Sequence, residues 1–217
     1  MNQLLATDFI THYCLPVAPM PVAFKDTIEK YFELNDDLQL VYTNIGDGVA
    51  PYKNDDALSV RVVNYETFHN SLPATFKNGK KICDLIVYTE NEKKYFSLNE
   101  LTNTDPLYTI DFTRANGVAA QGKRNKAILQ LYTVLYLLSA VPSINAFIGT
   151  FATKRCLFFN KQAVAPAVAG GVVITAPSSF GRVNTISEEG FEMGFQPIEG
   201  LGFKLFEYSG GKAAKIA

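Results

Sequence analysis

Two carboxylates near the middle of the chain, Asp84 and Glu100, are set as a pair by the runs that carry them. Residues 81–88 (KICDLIVY) and 95–102 (YFSLNELT) are β-prone, and the short charged linker between them has the length of a hairpin turn. With the turn centred near Glu92, opposed positions sum to 184, which puts Asp84 across from Glu100. Opposed residues project to one face with Cβ atoms about 5 Å apart. Two carboxylates so placed disfavour each other's ionisation, and in otherwise apolar strands a cation is the natural compensation. An all-oxygen donor set suits Mg2+ or Mn2+. The chemistry this allows is metal-dependent hydrolysis of phosphodiesters, in which the cation orients and activates a water. Thr102, two residues beyond Glu100, lies on the same face.

The elements that must position this pair follow from patterning. After a loop over 103–121, Gly122 leads into KRNKAILQLYTVLYLLSAV, where Ile128, Leu131, Leu135 and Leu138 trace one side of a helix. Its positive charges, Lys123, Arg124 and Lys126, crowd the first turns, the unfavourable end for the helix dipole. Such a departure from local optimisation can mark a functional site. Upstream, the spacing predicts a helix over 25–34, strands over 38–45 and 58–63, and a short helix over 65–72 closed by Pro73. Downstream, Pro142-Ser143 is read as the helix end, and 145–159 as one long bent strand or two short ones. Residues 1–23, with Pro16, Pro19 and Pro21, read as an irregular or extended lead-in. The expected organisation is a lead-in over 1–23, a core over 24–161, and a Gly- and Ala-rich segment of strands or a docking arm over 162–217. The expected fold class is α/β (α+β), a mixed central sheet with an antiparallel hairpin flanked by helices, plus a β-rich or irregular C-terminal segment.

This order, Asp84 on one strand, Glu100-Leu101-Thr102 on the next, then the helix from Lys123, resembles the PD-(D/E)XK nuclease family over roughly residues 58–159. The resemblance implies a hairpin continued by a parallel strand, with Asp84 and Glu100 as metal ligands. It further implies a third carboxylate from an earlier helix, for which Glu29, Glu33 and Glu66 are the candidates. Lys123, Lys126 and Gln130 would then face the site from the helix. Thr102 occupies the family's lysine position and lacks an amine's charge and basicity, so Lys123 or Lys126 would have to compensate. The same layout is compatible with a nuclease relative without activity. A plainer alternative has Asp84 paired with Lys81 or Lys94 and Glu100 facing solvent.

The formal net charge is −1, unevenly spread: residues 1–75 carry −6, residues 76–126 carry +3 and residues 127–217 carry +2. Bulk basicity does not announce a nucleic-acid binder, yet the basic middle supplies Lys81, Lys94, Arg114, Lys123 and Arg124 as candidate contacts to DNA or RNA phosphates. The composition, 47% hydrophobic and 19% charged, excludes a disordered chain, a collagen-like chain and a coiled coil. Three cysteines and two histidines, with no cluster among them, argue against a disulfide framework and a His/Cys zinc site. No basic stretch precedes Lys25, so a secretory leader is not expected and the expected location is cytoplasmic. Residues 127–153 carry no charge, but Pro142 and scattered polar side chains favour a buried helix and strand over a membrane span. The rival reading is a non-enzymatic assembly protein, a homo-oligomer or a partner of another protein, docking through its C-terminal segment.

Overall fold

The computed structural model describes residues 1–18, 20–104, 108–114, 116–161, 167–169, 172–174 and 190–216, the two three-residue pieces as backbone. A helical stretch opens the chain, Asn2–Leu4, a π-helical turn Leu5–Phe9, and Ile10–His12, together α1. There follow β1 (Phe24–Thr27), β2 (Tyr31–Leu34), β3 (Val41–Tyr42), β4 (Ala50–Lys53), β5 (Val60–Asn64), α2 (Tyr65–Asn70) and α3 (Ala74–Lys77). The hairpin is β6 (Leu85–Thr89) with β7 (Tyr95–Thr102), and a small ribbon, β8 (Phe112–Thr113) with β9 (Ala119–Ala120), precedes the long helix α4 (Lys123–Ser139). Then come α5 (Pro142–Gly149), β10 (Thr153–Asn160), β11 (Ala167–Ala169), β12 (Val172–Ile174), β13 (Phe191–Met193), α6 (Gln196–Glu199), β14 (Lys204–Ser209) and β15 (Ala214–Lys215).

Seven strands form the central sheet in the order β1-β5-β6-β7-β10-β14-β13. The β6–β7 hairpin is antiparallel, and β10 then β14 continue it in parallel, which makes the sheet mixed as expected. One face is covered by α1, α4 and α5, burying Phe96, Leu98, Cys156 and Leu205 against Leu131 and Leu135. The other is covered by a second sheet, β15-β4-β2-β3, burying Leu85, Val87, Tyr95, Leu157 and Phe159 against Phe32 and Tyr52. Strands buried on both faces need no polar alternation, which is why 85–88 and 156–159 read as unbroken apolar runs.

Five sequence expectations are corrected. Residues 25–34 are two strands, β1 and β2, because each finds an antiparallel partner, β5 and β4 respectively, outside any local pattern. The strand expected over 38–45 shortens to Val41–Tyr42, since Asp37 pulls the preceding residues into a turn by accepting from the amides of Gln39 and Leu40. Pro142 opens a second helix rather than ending helicity: at the first helical position its missing N–H leaves nothing unsatisfied. Ile144 and Ile148, four residues apart, are the buried face of that helix, so only Thr153–Asn160 of the run 145–159 is strand. The lead-in is helical over Asn2–His12, with Leu5, Phe9 and Ile10 buried; its prolines all lie beyond it.

The C-terminal part supplies β14 and β13 to the central sheet and β15 to the second sheet. Gly170-Gly171 and residues 175–189 lie outside the described residues. Cys83 and Cys156 are buried free thiols and Cys14 is exposed. Among the described residues no single helix is long and apolar enough to cross a membrane; α4 and α5 reach that length only together, bent by 109°.

Candidate metal centre

Asp84 stands immediately before β6, whose paired register with β7 begins at Leu85 opposite Asn99, and there is no ladder pair between Asp84 and Glu100 among the described residues. Its main chain is fixed on both sides. The amide donates to Asn99 O at 3.0 Å, and the carbonyl accepts from the amides of Tyr65 and Glu66 at 3.0 Å each. Asn64 ends β5 and caps α2 by accepting from the Thr67 amide at 2.8 Å, so Glu66 enters in the first turn of that helix beside Asp84. The Asp84 side chain accepts from the Leu101 amide at 2.6 Å.

A third acid comes from the β2–β3 turn. Asp37 holds that turn, and its neighbour Asp36 reaches the site. Carboxylate oxygens of Asp36, Glu66 and Asp84 all lie within 4.8 Å of one another. Ligands on a six-coordinate Mg2+ at ~2.1 Å stand about 3.0 Å apart when adjacent and about 4.2 Å when opposite. Contraction by at most about 1.8 Å would therefore bring the three onto adjacent positions of one ion. The donors are all hard oxygens with no thiol or imidazole among them, which fits Mg2+ or Mn2+ and not a zinc site.

Glu100 stands beside this group. It lies on the helix-facing side of β7, and its Oε2 is buried without a hydrogen-bond partner. Burial, reinforced by the Asp84 charge, raises its carboxyl to about 9, offset in part by Gln130 and Lys123. Asp84 is raised to about 7, chiefly by burial and then by Asp36 and Glu66, while the Leu101 amide and Lys123 pull it down. Glu66 is raised by burial and by Asp36. Burial and mutual repulsion thus favour the protonated forms of these carboxyls.

Of the three candidates for a carboxylate from an earlier helix, Glu66 alone joins the site. Glu33 is a strand residue whose side chain accepts from the Gly46 and Gly48 amides and from the Tyr31 hydroxyl. Glu29 sits in the β1–β2 turn, its carbonyl accepting from Asn54. Glu100 does not face open solvent, and Lys94 is ion-paired with Glu92 and Asp56 at the hairpin's turn, the opposite end of β7 from Glu100. Thr102 shares a 2.6 Å hydrogen bond with Thr104.

Of the charges crowding the start of α4, Arg124 has an ion-pair partner. Lys123 acts electrostatically on Asp84 and Glu100, and Arg124 makes a 2.7 Å ion pair with Glu207, which is 4% exposed. Phe158 pairs with Glu100 on one side and Glu207 on the other, so both acids lie in one row across the sheet, under α4. Gly122 sets that helix start. A Cβ there would fall 2.1 Å from the Ile110 carbonyl carbon, and its amide donates to Asp111 at 2.8 Å. Gln130 donates to Ile82 O at 2.7 Å and, with Lys81, lines a cavity next to Glu66. Lys126 lies half-buried in the second turn of α4, and Arg114 in the exposed β8–β9 connection.

Comparison of the chain with protein-family models, with curated proteins and with solved structures finds no match.

Proposed function

We propose that this chain is a nuclease-like protein acting on DNA or RNA phosphodiesters through a divalent cation, Mg2+ or Mn2+, held by Asp84 with Glu66 and Asp36. The observation that supports this reading best is the convergence of three carboxylates from three separate elements to within 4.8 Å, beside a fourth that is buried and incompletely partnered. Like charges gathered this closely oppose folding unless a cation or protons neutralise them. A bound ion would supply charge stabilisation at the scissile phosphate and a more acidic water. The protein's part is to hold Asp84 rigidly through three main-chain hydrogen bonds and to orient Glu66 from the same anchor. Glu100, kept protonated by burial without the ion, is the proton-holding group beside the site. Lys123 is the compensating cation, since Thr102 cannot supply one. Calorimetric titration with Mn2+ and Mg2+, paired with a DNA and RNA cleavage assay, tests the reading. Saturable binding lost in Asp84→Asn supports it, and no binding by the wild type ends it. Binding without cleavage assigns a nuclease relative that has lost activity.

A non-enzymatic assembly role has one surface feature in its favour. Leu129 and Tyr136, seven residues apart and so on one face of α4, are 48% and 60% exposed. Light scattering of the wild type and Tyr136→Asp discriminates: an oligomer that dissociates in the variant favours assembly through this face.

A further inference from the structure

Glu66 also lines an open cavity of about 340 Å³ bordered by α2, the residues around α3 and the middle of α4. Its charged lining is Lys77, Lys80 and Lys81 against Glu66 alone, a formal excess of two positive charges. His69, also in the lining, is 2% exposed, and its Nε2 is buried without a hydrogen-bond partner. A buried imidazole nitrogen left unpartnered in a native fold calls for a ligand atom or a water. Lys77 Nζ donates to Asn70 O at 2.5 Å, and Lys80 Nζ donates to Phe76 O and lies 4.4 Å from the Phe76 ring centroid. Each ammonium group thus donates to a neutral carbonyl, and among the described residues neither is ion-paired with a carboxylate. Three lysines acting as point charges around a polar nitrogen make a receptor for a phosphate group.

We propose that this cavity binds a phosphate group, with Lys77, Lys80 and Lys81 supplying charge and His69 Nε2 a hydrogen bond. Its edge is Glu66, which also belongs to the acid group, so a strand phosphate seated here would lie next to the one presented to the metal centre. That assignment to a nucleic-acid strand rests on the nuclease-like reading; the anion site itself does not. Charge of both signs around one residue thereby gains a use. Acids gather the cation at the reacting phosphate, while lysines hold a neighbouring one and fix the strand's register.

The test separates the two. In EDTA, inorganic phosphate is titrated into the full chain while the His69 imidazole is followed by NMR. A saturable shift is expected, weakened at least tenfold in a Lys80→Gln/Lys81→Gln variant whose melting temperature is unchanged. No saturable shift in the wild type overturns the site. Binding of a short oligonucleotide is then measured over a salt series, where each lost phosphate contact lowers the slope of log K against log salt by about 0.7–0.9. A lower slope in the double variant assigns the pocket to a strand phosphate. An unchanged slope and affinity overturn that assignment. Phosphate binding with no oligonucleotide binding leaves the pocket as a site for free phosphate or a phosphomonoester and removes the nuclease-like reading.

Discussion

The amide of Glu66 donates to the carbonyl oxygen of Asp84 at 3.0 Å, so the main chain of one acid positions the side chain of the other. This contact links the start of α2 to the edge of the hairpin and makes the acid group a property of the backbone. Side-chain substitutions there should remove charge while leaving the geometry in place.

Asp84→Asn is the cleanest case. Asparagine retains an oxygen for the Leu101 amide and leaves the main-chain anchor intact. Affinity for Mn2+, read by calorimetry, should fall by roughly tenfold or more, since an ionised oxygen ligand is lost from a hard-cation site. Far-UV circular dichroism should be unchanged. Wild-type affinity in this variant would remove Asp84 from the centre.

Stability in EDTA should fall as the pH rises. Asp84 and Glu100 are raised in the folded protein to about 7 and about 9, above their unfolded values. The folded state therefore binds more protons between the ordinary carboxylate range and about pH 9, and stability declines through that window. His69 acts in the opposite sense. It is lowered to about 4 by burial and by Lys77 and Lys80, so its contribution is lost as the pH falls from 6.5 towards 4. Comparing melting temperatures at pH 6.5 and 8.5 stays clear of that range. The wild type should lose more between the two than Glu100→Gln, by about 2–4 °C for each kcal/mol relieved. Equal pH slopes in EDTA would refute a raised titration of Glu100 in the folded protein.

Arg124→Ala should be costly although the arginine is partly exposed. Glu207, 4% exposed, would be left as a buried carboxylate without its 2.7 Å partner. Urea unfolding should show a loss of about 3 kcal/mol, the typical consequence of removing one member of a buried pair. Arg124→Ala combined with Glu207→Leu should recover much of it; no recovery would mean that Arg124 acts elsewhere.

Gly122→Ala tests how tightly the start of α4 is placed. The added Cβ would meet Ile110 backbone at 2.1 and 2.3 Å, so the helix start or the loop must shift. A destabilisation of about 1–3 kcal/mol is expected. Displacing Lys123 should also raise the apparent titration point of Glu100, observable by NMR; an unperturbed Glu100 would separate Lys123 from the site.

The hairpin that carries Glu100 and leads out of Asp84 was legible in the linear chain, and for identifiable reasons. The hairpin register followed from a short polar linker between two β-prone runs, and the observed pairs, Leu85 with Asn99 through Tyr88 with Phe96, keep the expected sum. Of the charges crowding the start of α4, Arg124 pairs with Glu207, an acid far along the chain that the helix itself does not contain. Asp36 left no such signal. It stands 48 positions before Asp84, in a turn whose visible logic belongs to Asp37. Glu29 and Glu33 misled because helical spacing over 25–34 is a local property, while β1 and β2 are strands by virtue of partners far along the chain.

The sequence by itself determined what short-range chemistry controls: the hairpin with its register from Leu85 to Tyr88, and the long helix from Lys123. Turn length and side-chain period act within a few residues, so they can be read along the line. Tertiary structure alone decided which acid from the first third of the chain completes the group, that Asp36 joins it, and that a lysine-lined cavity adjoins it. Those outcomes depend on how the second sheet packs and how α2 docks on Asp84. Such long-range contacts are selected by burial and main-chain hydrogen bonding, which no local pattern encodes.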